Sequence, residues 1–123
     1  MHWSTSWLGK PYAALARGPD TYDCLGLFLA VQAEQFGRAL PYGLVPLGAA
    51  ETDALGDHGA EWRWVDVARE GDAVLMRRGR GWHIGVALDD RMMLHADRPA
   101  SLIEDYRCGR WGTRLDGVYR FAN

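Results

Sequence analysis

The sequence predicts an α+β fold, with helices in the first half packed on an antiparallel sheet formed by the second. Residues 1–60 are rich in Ala and Gly and contain one clear amphipathic run. Residues 61–123 break into short alternating runs separated by turns rich in Gly, Asp and Arg. No repeat, low-complexity tract or linker separates the halves, so residues 1–123 read as two layers of a single domain.

The amphipathic run extends from Asp23 to Phe36. Cys24, Leu27, Phe28, Val31 and Phe36 fall near helical spacing, and Gly37 is a natural stop. Asp20, Thr21 and Asp23 offer capping side chains just ahead of it. Cys24 therefore opens the helix, where the dipole and free amide N–H groups are expected to lower a thiol pKa. In the second half, strands are expected over 72–76, 83–88, 91–96 and 117–121, with a turn over 77–81. In the second of these, Ile84, Val86 and Leu88 share one face, and His83, Gly85 and Ala87 the other.

A cysteine opening a helix and two later histidines, His83 and His95, form the minimal set for a thiol nucleophile with an oriented general base. Whether the histidines meet depends on the hairpin between them. A two-residue loop at Asp89-Asp90 places His95 opposite Ile84, on the wrong face. A three-residue loop or a one-residue bulge places it opposite His83 or Gly85, within the roughly 5–8 Å of cross-strand neighbours. Asp-Asp without Gly is a weak two-residue turn, which favours the longer loop. Gly85, inside a strand, reads either as a bulge or as room for close approach by the Cys24 helix or a substrate backbone.

Composition narrows the alternatives. The chain has 123 residues, 48% of them hydrophobic and 24% charged, long enough to bury a core without a disulfide or metal staple. The net charge is −2, with no basic stripe to track a phosphate backbone, so no nucleic-acid partner is expected. No apolar run approaches the roughly 18 residues that span a bilayer, and the N-terminus lacks the regions of a signal peptide. A product that stays soluble where it is made, with no membrane partner, is the expectation. With no secretion signal, Cys24 and Cys108 read as free thiols. A zinc site of Cys24, His83 and His95 would lack a ligand-spacing signature and a fourth ligand, so no metal or organic cofactor is expected.

Several motifs occur in a fixed order: Gly9-Lys10-Pro11-Tyr12, Tyr22-Asp23-Cys24-Leu25-Gly26-Leu27, Gly71-Asp72, His83-Ile84-Gly85-Val86 and Leu94-His95-Ala96. Together they resemble the NlpC-type cysteine peptidases, cell-wall enzymes with a minimal papain-like fold, over about residues 7 to 97. Arg17-Gly18-Pro19-Asp20 resembles the short, signal-less branch encoded with phage tail genes.

The resemblance implies a cysteine endopeptidase acting on peptidoglycan stem peptides, commonly between D-glutamate and a diamino acid. Cys24 is the implied nucleophile, His83 the general base, and His95 the third member orienting it. Tyr12 corresponds to the family tyrosine that helps bind the oxyanion. Leu25 stands where the family usually has Ser, and Ala13-Ala14 where it has Gly-Gly, both near the stem-peptide site. Asp23 reads as a helix cap or a recognition group for a substrate amine, and Trp82 as a groove floor or a core residue. Phage tail proteins are the further partners implied, with a virion tail, the periplasm or the cell wall as destination. An acyltransferase or small-molecule amidase using the same triad, or a non-enzymatic tail-assembly component, are the rival readings. Cys108, Glu70, Asp72, His2 and His58 receive no catalytic role.

Overall fold

Residues 2–40 and 62–121 are described by a computed structural model of the protein; the helical reading of 41–60, and His58 with it, lie outside the described residues. A 3₁₀ helix at Trp3–Trp7 begins the described chain, its first turn closed by the His2 ring accepting from the Ser4 N–H at 3.2 Å. Helix α1 spans Cys24–Phe36. Asp23 is its N-cap, with Oδ1 accepting the Gly26 N–H at 2.6 Å. Gly37 ends the helix in the left-handed region, and the Arg38 N–H reaches back to the Gln32 carbonyl at 2.8 Å.

Six strands follow: β1 (Trp62–Val65), β2 (Ala73–Arg78), β3 (Gly81–Ala87), β4 (Met92–His95), β5 (Leu102–Asp105) and β6 (Leu115–Phe121), with the short helix α2 (Gly109–Gly112) between the last two. They form one sheet in the order β1-β6-β2-β3-β4-β5, every pair antiparallel. The expected turn over 77–81 is tighter than its composition implies. Arg77 and Arg78 pair with Trp82 and Gly81, which leaves a two-residue turn at Gly79-Arg80.

Strand alternation divides the core into two layers. Leu27, Phe28 and Val31 of α1 pack on Leu75, Ile84, Val86 and Leu94 on one face of the sheet. Val74, Met76, Ala87, Met93 and Val118 line the other face beneath Tyr106 and Trp111. The Gln32 side chain, fully buried, donates to the Gly71 carbonyl at 3.0 Å and ties α1 to the start of β2. Asp72 beside it is buried and accepts both Arg120 Nε (3.0 Å) and Nη2 (2.9 Å), so its carboxylate is paired rather than stranded.

Candidate active site

The hairpin between β3 and β4 has the odd loop that the histidine argument requires. Val86 pairs with Leu94 and Ala87 with Met93, and the Leu88 N–H bonds the Met92 carbonyl, leaving Asp89, Asp90 and Arg91 in the loop. Asp89 Oδ1 fixes it by accepting the N–H groups of Arg91 (2.8 Å) and Met92 (2.7 Å). In this register His95 lies opposite Gly85, on the face that carries His83. The two rings meet at 2.7 Å between His83 Nε2 and His95 Nδ1, both side chains fully buried.

Gly85 explains how they fit. A Cβ there would stand 2.8 Å from Met93 Sδ and 3.2 Å from His95 Cβ. A close approach of the kind that a strand glycine suggested is thus made by β4. Gly85 seats His95.

Around the pair lies a polar and aromatic frame that the motifs did not disclose. Trp111 of α2 stacks on His83 with centroids 4.8 Å apart and planes 8° from parallel, and meets His95 edge-on. Glu104 of β5 contacts His95 Nε2 at 2.9 Å and also accepts Trp111 Nε1 at 2.9 Å. Arg110 clamps Glu104 through Nε and Nη2 and reaches Asp97 at 2.8 Å. Asp97 also accepts Arg78 Nη2 at 2.8 Å, while Arg78 Nη1 lies 3.4 Å from His83 Nδ1. Among the described residues, no group of three or more His, Cys, Asp or Glu could hold a metal ion.

Cys24 approaches from the α1 side. It is partly buried against the first core layer, with the amides of Ile84 and Leu25 directed at its sulfur. Ile84 follows His83 directly along β3, and Arg78 is a charged neighbour of both the thiol and His83. No hydrogen bond joins Cys24 to His83. Gly26 keeps the helix start in place, because a Cβ there would strike the Ala16 carbonyl.

The electrostatics correct one expectation. Burial pushes the Cys24 thiol up, outweighing the Ile84 and Leu25 amides and Arg78, which lower it. Burial, with the neighbouring His95 and Arg78, lowers His83 to about 3. Both shifts favour a neutral thiol beside a neutral imidazole over a thiolate–imidazolium pair. Iodoacetamide alkylation of Cys24 in a Cys108→Ser background is accordingly expected to keep accelerating above pH ~8.5, the value of a free thiol. A rate already level between pH ~5 and ~8 would mean a preformed thiolate.

The remaining residues singled out in the sequence are placed as follows. The Tyr12 ring packs on the first core layer and lies 4.6 Å beneath the Arg98 guanidinium; its N–H bonds the Pro99 carbonyl. Asp23 Oδ1 serves the Gly26 cap and accepts Arg17 Nη1 at 2.7 Å, so the capping reading accounts for it. Leu25 and Trp82 are partly buried against the first core layer. Cys108 is exposed and caps no bond of α2, though Arg91 Nη2 lies 3.4 Å from its sulfur.

Comparison with known proteins gives the family and the fold. The model of the NlpC/P60 family matches residues 9–120. The chain belongs to the NlpC/P60 family. It is 31% identical over 114 residues to a probable endopeptidase p60 of Listeria grayi, a match covering 92% of this chain and 20% of that protein. The chain thus spans about a fifth of the length of that curated relative. Solved structures agree on the fold. An NLP/P60-family protein similar to lipoprotein from Staphylococcus aureus superposes with TM-score 0.71 at 21% identity, over 98% of this chain and 39% of that one. The NlpC/p60 domain of the peptidoglycan hydrolase SagA gives 0.67 at 18% identity, over 96% and 92%. NlpC2 of Trichomonas vaginalis gives 0.69 at 19% identity, over 95% and 44%. The papain-like α+β architecture expected from the motifs is the one these NlpC/P60 structures share.

Proposed function

We propose that this NlpC/P60 chain is a cysteine endopeptidase that hydrolyses amide bonds of peptidoglycan stem peptides, with Cys24 as nucleophile, His83 as base and His95 as the residue orienting it. The observation that carries this reading is the 2.7 Å His83–His95 pair, one residue from the Ile84 amide that faces Cys24.

His83 Nε2 is committed to His95, so Nδ1 is the nitrogen left to accept the thiol proton. As the Cys24 Sγ–C bond forms, that proton passes to Nδ1 and the carbonyl oxygen gains the charge. The Cys24 N–H and the Tyr12 hydroxyl are the donors offered to this oxyanion. Nδ1–H then protonates the amide nitrogen as the C–N bond breaks, leaving a thioester. Water, deprotonated by Nδ1, attacks the thioester, and the proton returns to the departing sulfur. A raised thiol and a neutral imidazole favour this general-base route, in which the thiolate forms only as the attack proceeds.

The bond between D-glutamate and the diamino acid is the proposed target, with Asp23, Leu25, Gly85 and Trp82 as the residues that would line the peptide. Asp23 can serve the peptide alongside its capping role, since one carboxylate accepts several donors. The resemblance of Arg17–Asp20 to the phage-tail branch supports a tail-associated enzyme delivered to the cell wall. Mass spectrometry of purified sacculi after digestion tests the whole reading. The expected products carry a new free carboxyl on D-glutamate and a new free amine on the diamino acid. Products joined to a new amine would instead mean acyl transfer, and intact sacculi with an active reference enzyme alongside would refute the assignment.

A further inference from the structure

Glu104 belongs to none of the motifs that mark the family resemblance, yet it closes a chain of hydrogen bonds whose two ends have fixed character. At one end, Arg110 and Trp111 donate to the Glu104 carboxylate, and His95 Nε2 lies 2.9 Å from the same Oε1. A carboxylate only accepts, so His95 Nε2 must carry the proton. His95 Nδ1 is then a lone pair, and the 2.7 Å contact to it must be donated by His83 Nε2. That leaves His83 Nδ1 unprotonated.

The other end agrees, through a contact long enough to give way when the thiol proton arrives. Arg78 Nη1, a group that only donates, lies 3.4 Å from His83 Nδ1. A proton on Nδ1 would set two donors against each other. One tautomer of each ring therefore satisfies every contact, and the reverse pair fails at both ends.

We infer that Glu104 is a positioning residue which, acting through His95, holds His83 in the tautomer whose Nδ1 is free to take the thiol proton. The inference rests on the proposed role of His83 as base. The Arg110 hydrogen bonds, ahead of those from Trp111 and His95, hold the Glu104 carboxyl down at about 2, so it is ionised at neutral pH. Its charge also faces the imidazolium that forms when Nδ1 accepts the proton, and stabilises that cation through His95 without taking a proton itself. The other charged groups facing the pair are Arg78, Arg110 and Asp97; the two arginines disfavour the imidazolium and Asp97 favours it. Glu104 is thus the carboxylate with a direct bond into the histidine chain.

The test uses the full chain with ¹⁵N-labelled histidine. Wild type is expected to show both buried rings neutral with the proton on Nε2. Glu104→Leu keeps the size but removes the acceptor, and is expected to shift His95 and His83 to mixed tautomers. Glu104→Gln keeps an acceptor oxygen and should hold most of the wild-type pattern. On stem peptides, Glu104→Leu should lower kcat on the order of ten- to a hundredfold with KM little changed. Glu104→Met replaces the leucine variant if circular dichroism shows the latter unfolded. A folded leucine or methionine variant with wild-type histidine nitrogen shifts overturns the inference, whether or not the chain cleaves stem peptides. A chain that cleaves nothing but shows the tautomer shift would refute the proposed function and leave the positioning role standing.

Discussion

Cys24→Ala is expected to reduce stem-peptide cleavage to near background, a loss on the order of 10⁴-fold or more, and His83→Ala to do the same. The first removes the atom that would form the thioester. The second removes the nitrogen that takes the thiol proton and later gives it to the leaving amine. Because both act in one step, the double variant should be scarcely worse than either single one. Single-turnover rates on a defined stem peptide measure this, with circular dichroism confirming that each variant is folded. Control matters here because His83 is fully buried, and a collapsed core would imitate a chemical defect. A folded Cys24→Ala variant that cleaves like wild type would end the hydrolase reading.

The second large effect falls on stability. Trp111 is fully buried although it sits in a helix of four residues, and it is the largest side chain of the second core layer. Trp111→Ala should cost about 3–5 kcal/mol, the range for truncating a large buried aromatic. For a domain of this size that is a fall in Tm on the order of 10 °C or more. The same change removes the surface on which His83 stacks and the Nε1–H donor to Glu104. Trp111→Phe separates the two contributions, since it refills most of the volume but restores no donor. It should recover much of the Tm while leaving Glu104 with one partner fewer. Thermal unfolding by near-ultraviolet circular dichroism measures both; an alanine variant within about 2 °C of wild type would show that α2 is dispensable to the core.

These effects trace differently back to the chain. Helix α1 was legible almost to the residue, because Asp23 and Gly37 are local signals whose bonds form within one turn. Strands β2, β3, β4 and β6 were legible because their alternation reflects a sheet covered on both faces. Strands β1 and β5 went unread. Each is four residues long at an edge of the sheet, and β5 is half-exposed throughout, so pairing with β6 and β4 decides their conformation. Helix α2 was invisible for a related reason, as four residues carry no period.

The candidate site divides in the same way. Residue types, order and spacing determined on their own that Cys24 opens a helix and that His83 and His95 share a face once the loop is odd. They also marked the NlpC/P60 family. Tertiary structure decided everything that depends on what surrounds those groups. Burial reversed the expected direction of the Cys24 thiol, since a helix start lowers a pKa only while its charge can still be solvated. Met93 and His95 proved to be the side chains that Gly85 makes room for. Glu104, Arg110, Trp111 and Asp97 reached the histidines from β5, α2 and the segment after β4. Local sequence records which side chains a strand or helix presents to a face. Which protonation state and which hydrogen-bonded partner each then acquires depends on dielectric and on long-range contacts, and those exist only when the sheet is assembled.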